Sequence, residues 1–421
     1  MNVLVIGQGG REHAIVKSLN LSPKVKTIYC APGNGGIASD AVCLQADETD
    51  FAGLVKIVED KGIDLTIVGP EKPLVEGIVD YFQERNLAIV GPTKEAARIE
   101  GNKSYAKELM RKYDIPTADY QVFSYKDEAI AYVKEKGIPI VIKADGLAAG
   151  KGVTVAYSID EALAAIDDIM DKKIFGESGN KVVIEEFLTG EELTVMAFVN
   201  GSVVLPMEPA QDHKPVYDGD KGPNTGGMGS YSPVPHIEKT VLDEIYNKVL
   251  LPAAKAMVNE GYPFQGILYA GMMLTDNGPK VIEFNARFGD PETQVVLPRL
   301  KTDIVEVFQA IADNSLGKIQ LEWKDQAAVC VIMASGGYPK EYKKGLPIKI
   351  EQLPQDTNLY IAGATKTDNQ LFTSGGRVLG VTGLADDIIE AQKKAYQGME
   401  KISFEGAHYR TDIANKAIKQ N

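Results

Sequence analysis

Four short apolar runs, separated by stretches with helical periodicity, dominate the first 91 residues and most limit the possible folds. The runs are VLVIG (3–7), TIYC (27–30), LTIVG (65–69) and LAIVG (87–91). Strands that are buried on both faces read as continuous apolar runs, because helices cover both faces of the sheet. The alternation therefore predicts a parallel α/β unit at the N-terminus.

The middle of the chain combines helical patterns with a marked hairpin signal. KSYAKELMRK (103–112) is typical of a helix, and a second helix is expected at about 160–170 with Asp160 as its N-cap. The sequence DNG (276–278) lies between two apolar runs. Asn-Gly in that setting favours a tight turn between antiparallel strands. From about residue 327, short strands and turns precede another predicted helix, which indicates a separate small α/β region.

Charge and composition exclude several classes of partner. The 421 residues carry a formal net charge of −13, so non-specific binding to nucleic acid or to an anionic membrane is not expected. The N-terminus runs directly into a strand, and no apolar run reaches membrane-spanning length. The three cysteines and four histidines suggest neither a disulfide framework nor a zinc site. We expect a cytoplasmic protein that binds small molecules, with no nucleic acid and no membrane.

The first glycine-rich stretch is VIGQGGREH (5–13), at the end of the first predicted strand. A dinucleotide fingerprint counted from Gly7 and Gly9 would require glycine at position 12, where the chain has Glu12. A strand, a tight turn and a helix N-terminus remain, and these can hold one phosphate on backbone N–H groups. A nicotinamide site, or glycines that only permit a tight turn, remain alternatives.

The second glycine-rich stretch, IKADGLAAGKGV (142–153), differs from a Walker A loop. Three residues separate Gly146 from Gly150, and Lys151 precedes Gly152 rather than serine or threonine. Predicted strands flank the stretch on both sides, so it fits a mobile hairpin flap that closes over a triphosphate through backbone N–H groups and lysines. A flexible β-turn without a ligand remains the alternative.

The stretch VIEFNARFGDPETQ (281–294) begins like a buried strand but is rich in polar residues. Because side chains alternate along a strand, Glu283, Asn285 and Arg287 should share one face, with the apolar residues between them on the other. A carboxylate and an amide oxygen on that face suit Mg²⁺, and Arg287 can bind a carboxylate or a phosphate. The alternative is an internal ion pair of Arg287 with Asp290 or Glu292.

Taken together, the motifs resemble those of the glycinamide ribonucleotide synthetase family of the ATP-grasp superfamily. The resemblance covers essentially the whole chain and keeps the order of the family. It rests on VIGQGGREHA (5–14), APGNGG (31–36), VGPEKPL (68–74), IKADGLAAGKGV (142–153), EEFLTGEE (185–192), QDHKPVYDGDKGPNTGGMGSYSP (211–233) and RFGDPETQ (287–294).

The resemblance implies an α/β fold, with α+β character in the grasp region, and three domains. These are an N-terminal parallel pre-ATP-grasp domain (1–102), a two-part ATP-grasp domain (103–320, with a mobile subdomain at about 118–190) and a small C-terminal α/β domain (321–421). The implied reaction joins glycine to 5-phosphoribosylamine in de novo purine (IMP) biosynthesis. It gives glycinamide ribonucleotide, ADP and phosphate through a glycyl phosphate intermediate.

The resemblance also implies roles for individual residues. ATP contacts are expected at Lys103, Lys143, Gly146, Gly150, Lys151, Gly152, Glu185, Glu186, Phe187, Leu188 and Glu192. Substrate contacts are expected at Gly9, Gly10, Arg11, Glu12, Asn34, Asp212, Lys214, Arg287 and Asp290. Catalytic roles are expected for Lys143, Lys151, Asp212 and Arg287, and binding of Mg²⁺ or Mn²⁺ for Glu283 and Asn285.

Some alternatives stay open at this point. Another ATP-grasp carboxylate-amine ligase or a carboxylase would share the same nucleotide machinery. A nicotinamide oxidoreductase and a non-catalytic nucleotide sensor represent other classes of function. His213 lies between two implied substrate residues, and we expect it to hydrogen-bond within its loop, with a general-base role as the alternative. We expect a monomer.

Overall fold

The computed structural model describes residues 1–148 and 152–419 of a mixed α/β chain. The flap residues Gly150 and Lys151, which were predicted to contact ATP, lie outside the described residues. Among the residues that are described, none of the helices combines the length and apolar character needed to cross a membrane.

The N-terminal region contains the predicted parallel sheet, with strand order β3-β2-β1-β4-β5. Its strands are β1 Asn2–Gly7, β2 Thr27–Pro32, β3 Val42–Cys43, β4 Leu65–Val68 and β5 Ile89–Val90. Its helices are α1 Gly10–Asn20, α2 Phe51–Lys61, α3 Glu71–Glu76, α4 Ile78–Gln83 and α5 Lys94–Gly101. Alternate residues of β1 enter two hydrophobic clusters on opposite faces, Val3 and Val5 in one and Leu4 and Ile6 in the other. This two-sided burial explains the continuous apolar run.

The next region is a small antiparallel sheet, in the order β6-β9-β7-β8, with its own hydrophobic cluster. The elements are α6 Lys103–Lys112, β6 Tyr120–Phe123, α7 Lys126–Lys136, β7 Ile140–Ala144, β8 Val153–Ala156, α8 Ile159–Met170 and β9 Val182–Glu186. The prediction of Asp160 as the N-cap of α8 was wrong. Ser158 caps the helix, because its hydroxyl accepts from the N–H of Glu161 and the Glu161 carboxylate returns to the N–H of Ser158.

A second antiparallel sheet, in the order β11-β10-β16-β17, contains the predicted hairpin. The elements of this part are β10 Glu191–Asn200, β11 Val203–Pro206, β12 Gln211–Asp212, β13 Pro215–Tyr217, β14 Lys221–Asn224, β15 Gly229–Ser232, α9 Lys239–Ile245, α10 Leu251–Asn259, β16 Gln265–Thr275, β17 Gly278–Asn285, α11 Thr293–Val296 and α12 Ile304–Ala312. The Asp276-Asn277 turn brings Thr275 opposite Gly278, as the sequence predicted. A π-helical segment, Tyr246–Leu250, joins α9 to α10.

The predicted alternation along β17 is interrupted by a β-bulge. Gly271 pairs with Glu283 but Met272 pairs with Val281, so Ile282 is the extra residue. Val281 and Phe284 therefore both enter the hydrophobic core. Ile282 lines the same cavity as Glu283, which corrects the expectation that it faces away from it.

The C-terminal elements are β18 Ala327–Ala334, β19 Pro347–Ile350, β20 Thr357–Ile361, β21 Ala364–Thr367, β22 Gln370–Thr373, β23 Arg377–Ala385, α13 Ile388–Met399, β24 Ile402–Ser403 and α14 Asn415–Lys419. Four of the strands form a sheet in the order β21-β22-β19-β24, and the other three complete a five-stranded sheet in the order β12-β15-β18-β23-β20. Because β15 pairs with β18, this sheet crosses the domain boundary predicted between residues 320 and 321.

Candidate active site

A cavity of about 500 Å³ lies where these sheets meet, and residues from all parts of the chain line it. Its polar lining includes Arg11 of α1, Lys103 and Lys107 of α6, Lys143 of β7, Glu185 of β9, Glu283 and Asn285 of β17, and Arg377 of β23. A cavity of this size is suited to a nucleotide with a second small molecule.

One end of the cavity is built around the buried carboxylate of Glu185. Lys107 Nζ lies 2.9 Å and Lys143 Nζ 3.0 Å from Glu185 Oε2. Glu185 Oε1 is buried and has no hydrogen-bond partner among the described residues. A buried acceptor without a donor is costly, so this oxygen is available to a ligand. Burial lowers the pKa of Lys107 to about 8, despite the charge of Glu185.

The predicted ATP contacts Glu186, Phe187 and Leu188 follow Glu185 at the same end, and Glu192 also lines the cavity. The apolar residues that line it are Met110, Val141, Val153, Val155 and Met273. Lys103 Nζ donates to the carbonyl oxygen of Gly146 at 2.9 Å, which joins α6 to the start of the glycine-rich loop. Gly152, at the end of that loop, also lines the cavity. Apolar walls beside lysines can hold a base and a polyphosphate.

Glu283 is a carboxylate surrounded by cations but bonded to none of them. Within the described parts of the chain its carboxylate has neither a hydrogen bond nor an ion pair within 4 Å, whereas the Asn285 amide oxygen accepts from Arg287 Nη2 at 3.3 Å. Burial would raise the pKa of its carboxyl, but the charges of Lys214, Lys143 and Lys103 hold that pKa below its usual value. An ionised carboxylate without a partner, two residues from the Asn285 amide oxygen, fits a hard cation such as Mg²⁺.

No group of three or more His, Cys, Asp or Glu side chains in residues 1–148 and 152–419 is placed to hold a metal ion. Glu283 and Asn285 therefore offer only two protein oxygens. Mg²⁺ commonly takes one or two carboxylates and completes its coordination with phosphate oxygens and water. The pair fits Mg²⁺ or Mn²⁺ held jointly with a triphosphate better than it fits a site built only from protein.

Arg287 forms ion pairs, but not with the partners considered from the sequence. Its Nη2 lies 3.0 Å from Glu100 Oε1 and its Nε 3.4 Å from Glu71 Oε2. The proposed internal pair with Asp290 or Glu292 is therefore not observed. Glu100 also accepts the N–H of Ala286 at 2.7 Å. Two acids of the N-terminal region thus hold the segment that follows the candidate metal ligands.

The opposite end of the cavity contains Asp212 and Asp290, and Lys214 reaches from there towards the predicted ATP residues. Lys214 Nζ lies 2.8 Å from Glu192 Oε2, which joins a predicted substrate residue to a predicted ATP residue. Burial and the nearby charge of Glu292 raise the pKa of Asp212 well above its usual range. Burial would raise the pKa of Asp290 as well, but Arg377 and Arg11 hold it below its usual value.

The N-terminal loop is only partly exposed to the cavity. Arg11 lines it and donates to the carbonyl oxygen of Phe288 at 3.0 Å. Glu12 lies beneath the loop, where it accepts the N–H of Gly9 at 2.5 Å and pairs with Arg11 at 2.7 Å. A Cβ at Gly10 would lie 2.8 Å from Gln294 Nε2, so glycine there permits close packing against the segment after β17.

Two further sequence-derived candidates lie away from the cavity lining. Asn34 donates to the carbonyl oxygens of Gln8 at 2.7 Å and Ile361 at 2.8 Å. It thus joins the N-terminal loop to β20. His213 is 1% exposed and its Nδ1 lies 3.3 Å from the carbonyl oxygen of Gly229. Burial lowers the pKa of His213 to about 4, which leaves the ring neutral near pH 7.

Sequence reasoning missed five charged residues of the cavity: Lys107, Glu71, Glu100, Glu292 and Arg377. Lys107 follows Lys103 by four residues, so helical spacing places both on one face of α6 and could have revealed it. Glu71 belongs to the quoted VGPEKPL motif. Glu100 and Arg377 come from segments with no such signal, and only the tertiary fold brings them to the cavity.

Comparisons with known proteins agree with this architecture. Family descriptions of phosphoribosylglycinamide synthetase match in three parts, the N domain over residues 1–100, the ATP-grasp (A) domain over 101–293 and the C domain over 328–416. A phosphoribosylamine–glycine ligase of Halalkalibacterium halodurans is 53% identical, covering 100% of this chain and 98% of that protein.

Solved structures extend the comparison to the fold. The crystal structure of a phosphoribosylamine–glycine ligase from Thermotoga maritima superposes with a TM-score of 0.87 at 35% identity, covering 98% of this chain and 100% of that one. A biotin carboxylase from Campylobacter jejuni, solved with β-γ-ATP, has a TM-score of 0.75 at 14% identity, covering 97% of this chain and 92% of that one. The second likeness concerns the fold alone.

Proposed function

The chain belongs to the phosphoribosylglycinamide synthetase family, a family of ATP-grasp ligases, and we propose that its cavity joins glycine to 5-phosphoribosylamine. The observation that carries the residue assignments is Glu283, an ionised carboxylate without a bonded partner among the described residues, under the influence of Lys103, Lys143 and Lys214. Such an arrangement suits a site that binds negatively charged phosphate groups and releases them after the reaction.

We assign the Glu185 end of the cavity to ATP. Apolar side chains and residues 186–188 provide walls for the base, and Glu185 Oε1 offers a buried acceptor to a donor on the base. Lys103 and Lys143 would face the phosphates, together with Lys151 of the predicted flap. Glu192 would bind the ribose hydroxyls once Lys214 releases it.

The chemistry at this end is a phosphoryl transfer. A carboxylate oxygen of glycine forms a bond to the γ-phosphorus of ATP, the bond from that phosphorus to the β-γ bridging oxygen breaks, and ADP leaves. The amine nitrogen of phosphoribosylamine then attacks the acyl carbon of glycyl phosphate. Phosphate departs with the electrons of the carbon–oxygen bond, and the nitrogen loses a proton, giving the amide of glycinamide ribonucleotide.

Magnesium or manganese, when bound, would neutralise charge on the transferred phosphoryl group. Glu283 and Asn285 are the residues that would hold it. Lys143 and Lys103 would stabilise the same developing charge directly, because fixed cations cost no reorganisation during the reaction.

We assign the opposite end to the second substrate. Arg11, Arg287 and Lys214 offer cations to its phosphate, and Asp212 and Asp290 offer acceptors to its hydroxyls and amine. The N-terminal loop supports this assignment through Arg11 rather than through direct contacts of Glu12 or Asn34, whose polar groups already have protein partners.

An ADP-release assay tests the proposal. ADP should form rapidly only when glycine and freshly prepared phosphoribosylamine are both present, since an acyl phosphate needs its amine in order to turn over. Each substrate is omitted in turn as a control. Equal ADP formation with bicarbonate in place of glycine would favour a carboxylase, and hydride transfer to NAD would refute the ligase assignment.

Three predictions about the whole protein remain predictions: the domain division at 1–102, 103–320 and 321–421, a monomeric state, and a cytoplasmic location. Light scattering of the purified chain tests the second. A molar mass near 45.6 kDa is expected for a monomer.

A further inference from the structure

We propose that Arg410 is a positioning residue for the end of the active site assigned to the second substrate and that it acts through the hairpin of β13 and β14. Two contacts suggest this role. A C-terminal segment, residues 408–412, binds the tip of the hairpin, and the base of the same hairpin lines the cavity. The inference rests on the proposed function, because it concerns the substrate that the hairpin base would meet.

The base of the hairpin belongs to the active site. Lys214 immediately precedes β13, and Asn224, Thr225 and Gly226 follow the tip; all four line the cavity. The two sides are tied together, because both the N–H and the hydroxyl of Thr225 donate to the carbonyl oxygen of Lys214, at 2.8 and 2.7 Å. A shift of the hairpin would therefore move these cavity residues together.

The hairpin has little support of its own. β13 and β14 form a sheet of only two strands, and the four residues of β14 are exposed. A two-stranded hairpin is at best marginally stable in water. Its fixed position must come from contacts at its tip and base.

Arg410 supplies the central contact at the tip and is only 1% exposed. Its Nη1 donates to Asp220 Oδ1 at 2.9 Å and to the carbonyl oxygen of Pro215 at 3.1 Å. Its Nε and Nη2 bind both oxygens of Asp412, at 2.7 and 2.8 Å. The planar guanidinium thus bridges strand β13, the turn of the hairpin and a carboxylate of its own segment.

Neighbouring residues of the same segment make further hydrogen bonds to the hairpin. Asp412 Oδ2 accepts the N–H of Gly219 at 2.8 Å, and the N–H of Thr411 donates to Asp218 at 2.8 Å. His408 Nε2 donates to the carbonyl oxygen of Val216 at 2.8 Å. Residues 408–412 contact neither Lys143 nor Glu185, and the hairpin reaches the predicted ATP residues through the ion pair of Lys214 with Glu192. The loss of these contacts should therefore affect the second substrate more than ATP.

The test is Arg410→Met, which keeps much of the apolar bulk but removes every donor. We expect KM for phosphoribosylamine to rise at least about fivefold while KM for ATP stays within about twofold. Hydrogen exchange of the hairpin amides should become faster in the same variant. The matched control is Arg299→Met, because Arg299 is also buried and paired, with Glu208 at 3.1 Å, but does not contact the hairpin. Arg299→Met should lower stability without changing the ratio of KM for phosphoribosylamine to KM for ATP.

Asp220→Asn decides the matter if Arg410→Met does not fold, because it leaves the pair of Arg410 with Asp412 intact. It should show a smaller shift in the same direction. Equal changes in both KM values, or unchanged KM values with fewer active molecules, would overturn the positioning role. A wild-type enzyme that releases ADP without phosphoribosylamine would instead overturn the proposed function, so the two failures are distinguishable.

Discussion

At the scale of single residues, substitution of Glu283 should distinguish a charge that is needed for catalysis from one that is needed for stability. Replacing it by glutamine should lower turnover by at least about a hundredfold, because the amide keeps the size but loses the charge that would hold the metal against the triphosphate. The ligand-free protein should lose about 1 kcal/mol or less of unfolding free energy, since the carboxylate makes no direct ion pair.

Thermal melts without nucleotide, together with turnover at rising Mg²⁺, measure both effects of Glu283→Gln. Glu244→Gln is a suitable control, because it removes a partly exposed acid that pairs with Lys248 on the surface. A strongly destabilised variant would indicate a structural ion pair, and a fully active one would end the metal assignment.

Glu100 gives a residue-scale prediction about pH. Burial raises the pKa of its carboxyl to about 7, against the opposing charge of Arg287. The folded state therefore binds the proton more tightly than the unfolded chain does. The stabilisation that this proton gives the folded state is complete below pH 4.5, the pKa of the carboxyl in the unfolded chain, and is lost as the pH rises through about 7. Between pH 5.5 and 8, the wild type should lose roughly 1 to 2 kcal/mol of unfolding free energy relative to Glu100→Gln.

Urea unfolding of both proteins at several pH values measures that difference. Curves that stay parallel from pH 5.5 to 8 would show that Glu100 keeps its ordinary affinity for protons in the folded state.

At the scale of elements, the chain shows which structural features a sequence can reveal. The hairpin at residues 276–278 and the continuous apolar run of β1 carry local signals, and both predictions were confirmed, although the turn itself is Asp276-Asn277 rather than Asn277-Gly278. The bulge at Ile282 carries none, because it arises from the packing of Val281 and Phe284 into the same core. Similarly, an N-cap is chosen among nearby candidates by backbone geometry, which favoured Ser158 over Asp160.

Helix α1 and strand β20 are joined by a buried histidine, which allows a prediction at this scale. His13 Nδ1 accepts the N–H of Ile361 at 2.8 Å, while its Nε2 binds Asp40 at 2.8 Å. Burial lowers the pKa of His13 despite the hydrogen bond to Asp40. A histidine with a lowered folded-state pKa stabilises above its unfolded value of 6.5, and this contribution is lost as the pH falls through the folded-state pKa.

His13→Asn should therefore make the free energy of unfolding depend less on pH on the acid side. The asparagine oxygen can replace Nδ1 as an acceptor but does not titrate. We expect the variant to be less stable than the wild type at pH 7.5 and the difference to shrink towards pH 5, as measured by chemical denaturation. A difference that is constant with pH would mean that protonation of His13 does not open the contact between α1 and β20.

At the scale of the whole molecule, the active site is an assembly of distant segments. Motif spacing identified Lys143, Glu283 and Arg287, because each lies in a local pattern with recognisable chemistry. It could not show that Glu100 would pair with Arg287 or that Arg377 would donate to the carbonyl oxygens of Gly226 and Asp290. Such contacts depend on how the sheets pack, which is not encoded in any short stretch.

This assembly from separate regions gives the last prediction, since the two ends of the cavity should respond independently to substitution. Arg11 belongs to the N-terminal α/β unit, whereas Lys143 lies on the small sheet beside Glu185. Arg11→Ala should remove a charge-assisted contact to the phosphate of phosphoribosylamine, which costs roughly 1.5 to 3 kcal/mol, or about a ten- to hundredfold rise in its KM. KM for ATP should change less than about twofold, and Lys143→Met should show the reverse pattern. Arg98→Ala is the control, because Arg98 is a partly exposed arginine of the same region whose ion pair is with Glu95, at 2.8 Å. If Arg11→Ala raised both KM values by the same factor, the N-terminal loop would serve the nucleotide, and the assignment of the two ends would have to be exchanged or abandoned.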